Sequence, residues 1–420
     1  MQTLEGFDFF HLVFDADGKL VSKDEFDTFV AKAAEATDAI FIAHGFRNSE
    51  GDATQLYRQF LRTFRGHLSR PEFTGVASRR YVVAGVYWPS KPFREATDEQ
   101  GEGARALQNP AQAMAAVQAQ LDDLEEGASR ADRHKIEKAR ALLPALAGST
   151  RKQDHFVSLV LSILDDSPLD ATEGLPQIRR KPGSELLARL SDGTRNGERG
   201  IGNFFGNIAG GVGTFLNVTK WYVMKDRCGT VGATGVATAV RDLHDARPDM
   251  KIHLVGHSLG GRLMASCARA LGDAPAFRPD SLLLLEAAFS HYGFSADNGH
   301  GKAGFFRNVL ATHVVKGPLV VTYSAQDTTV GSAYALASRL ASDNTREIGD
   351  ASDEFGGIGR NGALKTAEVV SEKLHAPGAA YNYTLDVINN LDGSGGLIKD
   401  HGDVTNDAVT YAFASVVAQT

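Results

Sequence analysis

A serine in a short glycine-flanked segment could carry nucleophilic chemistry. Residues 251–261 read Lys-Ile-His-Leu-Val-Gly-His-Ser-Leu-Gly-Gly, which places Ser258 between Gly256 and Gly260. An apolar run precedes the serine and a helical pattern follows it, so we expect a tight strand-to-helix turn. Only very small residues fit two positions before and after the serine, and the following helix directs the positive end of its dipole at the hydroxyl. The pattern predicts a nucleophile in a strained turn; the alternative is an ordinary glycine-rich connection.

A histidine late in the chain could activate this serine. A serine hydroxyl needs a base at neutral pH, and the base needs a carboxylate that holds it in the correct tautomer. Of the 13 histidines, only His375 and His401 come late enough in the chain to follow a credible acid. His375 precedes Pro377 at the end of a predicted helix, where a role in ending the helix explains it. His401 lies in a polar loop, 398–403, and is therefore the predicted base.

Two acidic residues could orient that histidine. Asp327 follows the apolar segment 319–324, and Glu286 follows the apolar segment 281–285. Acidic side chains just past the carboxyl ends of buried strands lie at the rim where sites are built in α/β proteins. Asp327 is the predicted acid and Glu286 is the alternative.

Two backbone N–H groups are needed to stabilise the oxyanion that forms when a serine attacks an acyl group. The first should belong to Leu259, directly after the serine. The second should come from the loop after the apolar segment 38–43, which reads His44-Gly45-Phe46. We expect the donor to be the N–H of Phe46, whose ring would line an acyl pocket or pack in the core.

The elements that position these residues follow from the hydrophobic pattern. Buried apolar runs alternate with amphipathic segments, which predicts an α/β fold with a mostly parallel central sheet covered by helices on both faces. The predicted strands are 7–14, 38–43, 81–88, 252–255, 281–287, 319–324 and 381–387. The predicted helices between them are 23–36, 53–68, 230–247, 261–270, 333–341, 364–374 and 404–417.

The alternation stops in the middle of the chain. Residues 110–147 read as two helices and 156–164 as a third. We therefore expect one α/β core, residues 1–88 and 230–420, that is interrupted by a mainly helical insertion, residues 89–229, forming a cap or lid.

One segment of this insertion, 199–217, is glycine-rich, apolar and aromatic. It is either a mobile lid that contacts a lipid chain or a membrane surface, or a buried helix.

Composition narrows the possible partners and compartments. The 420 residues carry a net charge of -7, which argues against nucleic acid as the main partner. The two cysteines, Cys228 and Cys267, are too few for a disulfide framework. The first residues lack the basic region of a secretory signal, and no apolar run is long enough to cross a bilayer. We expect a cytoplasmic protein, with non-classical export as the alternative.

Together these features resemble the α/β-hydrolase superfamily, and the Gly-His-Ser-Leu-Gly-Gly motif is similar to that of lipases and esterases in particular. The resemblance covers 1–88 and 230–420. It implies an α/β-hydrolase fold, acyl transfer to Ser258, and hydrolysis of the acyl-enzyme by water, with His401 acting as base and then as acid. It implies no metal and no organic cofactor, and it leaves the oligomeric state open.

The expected function is that of a serine hydrolase that cleaves a carboxylic ester of a lipid or another apolar acyl group. The first alternative is a serine peptidase or amidase that uses the same triad. The second alternative is a non-catalytic member of the fold that binds a lipid or a protein.

Overall fold

The computed structural model describes residues 2–90, 110–126, 128–164, 172–191, 201–273, 277–341 and 349–420. The chain divides into two units by its internal contacts. The first unit consists of Met1–Lys91, Arg227–Ala335 and Glu347–Thr420, and the second of Pro92–Asp226 and Leu336–Arg346.

Within the described residues of the first unit, nine strands form one mixed sheet. They are β1 (Gln2–Leu4), β2 (Phe7–Val13), β3 (Asp38–Ala43), β4 (Tyr81–Tyr87), β5 (Lys251–His257), β6 (Ser281–Leu285), β7 (Leu319–Tyr323), β8 (Val369–Lys373) and β9 (Ile388–Asp392). Their order across the sheet is β1-β2-β4-β3-β5-β6-β7-β9-β8. Only the pair of β1 and β2 is antiparallel. The prediction of an α/β protein with a mostly parallel sheet is confirmed.

Helices make up most of the remaining structure. They are α1 (Lys23–Ala33), α2 (Glu50–Leu68), α3 (Thr74–Ala77), α4 (Pro110–Glu125), α5 (Arg130–Leu142), α6 (Thr150–Leu161), α7 (Leu175–Arg179), α8 (Gly183–Ser191), α9 (Ile201–Thr230), α10 (Ala237–Ala246), α11 (Leu259–Gly272), α12 (Arg307–Ala311), α13 (Thr328–Ala341), α14 (Ile358–Asn361) and α15 (Asp407–Ala418). A π-helical segment, Val231–Val236, joins α9 to α10, and short 3-10 segments lie at Pro71–Phe73 and Leu143–Gly148.

The parallel strands bring the loops that follow five of them to the same side of the sheet, where the carboxyl ends of the strands lie. In the register, Ala43 pairs with Gly256, His257 with Leu285, and Leu285 with Thr322. The carboxyl ends of β3, β5, β6 and β7 therefore lie side by side, and Tyr323 pairs onward with Asp392 at the end of β9. Functional residues that follow these strands can meet at this edge.

An aromatic layer packs α2 and α15 onto the sheet. Phe64 stacks against Phe7 with ring centroids 5.9 Å apart and lies 4.8 Å from Phe413 of α15. All three rings are buried, and each contributes about 1.5–3 kcal/mol relative to an exposed ring. The helix begins at Glu50, three residues before the predicted start, because Ser49 and Asp52 form a capping box.

Two predicted elements near the carboxyl terminus are wrong. The predicted helix 364–374 contains instead the edge strand β8, where Val369 and Val370 favour extended backbone. The predicted strand 381–387 is irregular, and the strand begins at Ile388.

Two buried asparagine side chains explain why the hydrophobic pattern does not predict β9. The Asn389 side chain donates to the carbonyl oxygen of Leu319 at 3.1 Å, and the Asn390 side chain both donates to and accepts from the Ala363 backbone. Both amides are satisfied, so they can be buried in a strand that a hydrophobic pattern does not detect.

The middle of the chain is helical, as predicted. Between 110 and 246 the described residues form helices α4 to α10 and contain no strand. The glycine-rich segment is part of α9 from Ile201 onward; its residues 199 and 200 lie outside the described ranges. Across the part of the chain that the structure covers, no helix is long and apolar enough to cross a membrane.

The second unit contains a buried ion pair between its own elements. Lys225 of α9 contacts the carboxylate of Glu173, and both side chains are almost fully buried. The Tyr222 hydroxyl donates to the Glu173 carbonyl oxygen at 2.6 Å. Breaking a buried ion pair by removing one partner typically destabilises a protein by about 3–5 kcal/mol.

Candidate active site

Ser258 occupies the turn between β5 and α11 with a strained backbone. Its φ of 58° and ψ of −124° lie in a region that side-chain-bearing residues rarely adopt. A Cβ atom at Gly256 would lie 2.2 Å from the carbonyl oxygen of Gly260, and one at Gly260 would lie 2.3 Å from that of Ala43. Both predicted glycines are therefore required by space.

The structure brings the predicted base and acid to this serine. Nε2 of His401 lies 2.9 Å from Oγ of Ser258, and Nδ1 of His401 lies 2.8 Å from Oδ2 of Asp327. The Asp327 carboxylate can only accept, so Nδ1 carries the proton and Nε2 presents its lone pair to the serine hydroxyl. Ser258 and Asp327 are buried, and the His401 side chain is 15% exposed. This arrangement suits proton transfer from serine to histidine.

Hydrogen bonds fix the acid on its loop. Oδ1 of Asp327 accepts from the N–H of Val330 at 2.9 Å in the first turn of α13, which leaves Oδ2 for the histidine. The Asp327 carbonyl oxygen accepts from Arg360 at 3.1 Å. The loop that carries His401 is tied to the end of β7, because the Ser324 hydroxyl donates to the carbonyl oxygen of Ile398 at 3.0 Å.

His257, the residue before the serine, supports the histidine loop. Its Nε2–H donates to the carbonyl oxygen of His401 at 2.8 Å, and its Nδ1 has no partner among the described residues. Burial, together with the nearby His401, lowers the pKa of His257 to about 3, so its ring is neutral at pH 7. The sequence shows His257 as the variable position of the motif, and its role depends on a contact 144 residues away.

The predicted oxyanion loop lies directly against the serine. A Cβ atom at Gly45 would lie 2.7 Å from Cβ and 3.2 Å from Oγ of Ser258. The N–H groups of Phe46 and Leu259 have no acceptor within the residues that the structure describes. Neither amide is used within the described structure, and Gly45, the neighbour of Phe46, lies against Ser258.

His44 holds that loop in shape. Its ring stacks on Trp88 with centroids 5.7 Å apart, and its Nδ1–H donates to the Gly45 carbonyl oxygen at 3.0 Å. Its backbone N–H donates to the Tyr57 hydroxyl, and the Trp88 indole donates to its carbonyl oxygen, each at 3.0 Å. Burial lowers the pKa of His44 to about 4, so it is neutral at pH 7. The pattern of the sequence does not reveal Tyr57 and Trp88 as supports.

Glu286, the alternative acid, lies farther from the base. Its Oε2 is 4.0 Å from Nδ1 of His401, against 2.8 Å for Asp327. Burial, and then the negative charge of Asp327, raise the pKa of Glu286 to about 10. The three groups offer donor atoms within 4.8 Å of one another, but Nδ1 of His401 is engaged with Asp327 and has no lone pair for a cation.

Residue types alone do not make a site, because a second arrangement of the same types lies in the core. Nδ1 of His253 is 2.8 Å from the Ser281 hydroxyl, and Nε2 is 3.1 Å from Asp38. All three side chains are 0% exposed, so no substrate can reach the serine. Cys267 of α11 is also excluded as a nucleophile, because burial raises the pKa of its thiol to about 12.

The structure therefore unites Ser258, Asp327 and His401 and leaves His375 elsewhere. His375 follows β8, and its backbone N–H donates to the Tyr381 hydroxyl at 2.8 Å. Comparisons with protein-family models, with curated proteins and with solved structures found no match for this chain.

Proposed function

We propose that this chain is a serine hydrolase that cleaves a carboxylic ester of a lipid or another apolar acyl group. The observation that carries the proposal is the continuous hydrogen-bond chain from Ser258 through His401 to Asp327. Neutral His257 and His44 support it, since neither competes for the proton that His401 must accept.

In this proposal, Nε2 of His401 accepts the hydroxyl proton while Oγ of Ser258 attacks the carbonyl carbon. The N–H groups of Leu259 and Phe46 stabilise the oxyanion, and each such donor typically contributes about 3–4 kcal/mol to the transition state. His401 then donates the proton to the leaving alcohol. Water hydrolyses the acyl-enzyme by the same steps, with His401 again as the base.

The order of the elements supports an α/β-hydrolase fold for the core. The nucleophile follows β5, the acid follows β7, the base follows β9, and the oxyanion loop follows β3. The chain order of serine, aspartate and histidine is the one associated with a nucleophile elbow in that fold. A cap or lid role for the helical insertion, and contact of 199–217 with a lipid surface, are part of the same proposal.

Turnover measurements on two serine variants test the proposal. We expect the chain to hydrolyse p-nitrophenyl esters, and Ser258→Ala to lower kcat by about 10⁴-fold or more, because the acyl-enzyme cannot form. Ser281→Ala is the matched control, since it removes the serine of the buried arrangement and should keep ester turnover.

A substrate panel separates the related activities. Ester substrates of increasing chain length, phospholipids and peptides are compared under the same conditions. Cleavage of peptides without turnover of esters would replace the esterase assignment with a peptidase. A folded chain that turns over none of them would leave the non-catalytic binding protein as the better account.

A further inference from the structure

A buried carboxyl group beside the proposed triad takes no part in it. Glu286 follows β6, is 0% exposed, and has no hydrogen-bond partner for either carboxyl oxygen among the described residues. Its Oε2 lies 4.0 Å from Nδ1 of His401, the atom that Asp327 contacts. An unpartnered buried carboxyl group is costly, so its position at this atom needs an explanation.

The backbone fixes Glu286 at this place. Its N–H donates to the Thr322 carbonyl oxygen at 3.1 Å, which ties it to the strand that leads to Asp327. A Cβ atom at Gly359 would lie 2.4 Å from the Glu286 carbonyl carbon, so the short helix α14 packs tightly against the Glu286 backbone. The side chain therefore extends toward the triad from an anchored position.

Burial, and after it the negative charges nearby, raise the pKa of Glu286 and keep it protonated. Among these charges, Asp327 raises the pKa of Glu286 more than Asp403 and Asp400 of the His401 loop, which act in the same direction. Arg360, the neighbouring cation on α14, directs its guanidinium to the carbonyl oxygen of Asp327.

We propose that Glu286 is a reserve positioning acid: once the Asp327 carboxylate is lost, Glu286 ionises and accepts the Nδ1–H of His401 in its place. The inference rests on the proposed function of Ser258 and His401. The proton of Glu286 leaves to solvent, so no other reactant is needed. A displacement of about 1 Å brings Oε2 into hydrogen-bond distance of Nδ1, and alanine at position 327 leaves room for it.

The pH dependence of an alanine variant follows from these charges. Removal of Asp327 lowers the pKa of Glu286, because the negative charge with the largest effect on that pKa is gone. Burial still holds the pKa of Glu286 above its ordinary value. The turnover of Asp327→Ala should therefore rise with pH as Glu286 ionises. In the wild type, Asp327 already holds His401, so this rise is absent.

Three full-length variants test the proposal by ester turnover between pH 6 and 10. Asp327→Ala should lower kcat by about 10²-fold, whereas Asp327→Ala/Glu286→Gln should lower it by about 10⁴-fold, as expected when no acid remains. Asp327→Asn is the control, because its amide can donate to Nδ1 and stabilise the wrong tautomer. It should be less active than the alanine variant, although it keeps an oxygen for the cap of α13.

Equal kcat values for Asp327→Ala and the double variant at every pH would overturn the reserve role. So would an Asp327→Asn variant that is as active as Asp327→Ala. Circular dichroism checks folding, and Asp327→Ser, which keeps a capping oxygen, replaces the alanine variant if that variant does not fold. A wild type without turnover contradicts the proposed function itself, whereas equal variants in an active wild type contradict only the reserve acid.

Discussion

At the scale of single residues, burial and proton position distinguish the candidate site from its surroundings. Ser258–His401–Asp327 and Ser281–His253–Asp38 use the same three side-chain types at similar distances. Only the first has its serine in a strained turn and includes a partly exposed histidine. The second stabilises the core, where a hydrogen-bonded network can be buried without loss.

The protonation state of Glu286 has a consequence for stability. Its pKa is about 10 in the folded chain, and the ordinary value is 4.5. Between these values the folded state binds a proton that the unfolded state has lost, so stability falls as pH rises from about 5 towards 10.

Urea unfolding at several pH values checks this consequence. Glu286→Gln carries no titrating group there, so its stability should fall less between pH 5 and pH 9 than that of the wild type. The difference in slope is at most about 1.4 kcal/mol per pH unit. All other titrating groups are common to both proteins, and parallel pH profiles would show that Glu286 is not a buried neutral acid.

At the scale of elements, the hydrophobic pattern predicts the buried central strands. It does not predict the strands whose structure depends on pairing with distant parts of the chain. The bounds of β3 match the prediction, and β5 to β7 differ by a few residues, because these central strands are continuous apolar runs. The edge strand β8 and the asparagine-containing β9 were missed, since their structure depends on each other and on distant backbone.

The candidate site also contains residues that the sequence predicts and contacts that it does not predict. Ser258, Asp327 and His401 could be predicted because each follows an apolar run or lies in a polar loop near the end of the chain. The contacts of His257 with His401 and of His44 with Trp88 could not, because these partners lie 144 and 44 positions away in sequence. The neutral state of Glu286 also depends on burial that sequence alone does not give.

The loop after β3, which contains Gly45, lies close to the turn after β5, which contains Ser258, and this contact between elements can be tested. Gly45→Ala should lower kcat by about 10²-fold or more, because its Cβ would lie 2.7 Å from that of Ser258 and displace the oxyanion donors. Gly66→Ala is the matched control: its Cβ in α2 meets no atom within 4 Å, and it should keep full activity. Steady-state kinetics on both variants checks this, and an unimpaired Gly45→Ala would remove Phe46 from the proposed oxyanion site.

At the scale of the whole molecule, a mostly parallel sheet brings segments that are distant in sequence together at the carboxyl ends of its strands. The residues of the hydrogen-bond chain are separated by 143 and 74 positions, yet each follows a strand of the same sheet. The antiparallel start and the edge strand β8 lie at the two ends of the sheet, away from the central strands that bear the site. The order of the strands therefore explains why His401, which lies near the end of the sequence, is adjacent to Ser258.

The central claim, that Ser258 is an activated nucleophile, is tested most directly by covalent labelling. The full-length chain is treated with a fluorophosphonate, and the adduct is located by mass spectrometry of its peptides. We expect one adduct per chain, on Ser258, with labelling retained in Ser281→Ala and lost in Ser258→Ala. A folded chain that remains unlabelled, or one that is labelled at another residue in place of Ser258, would contradict the account.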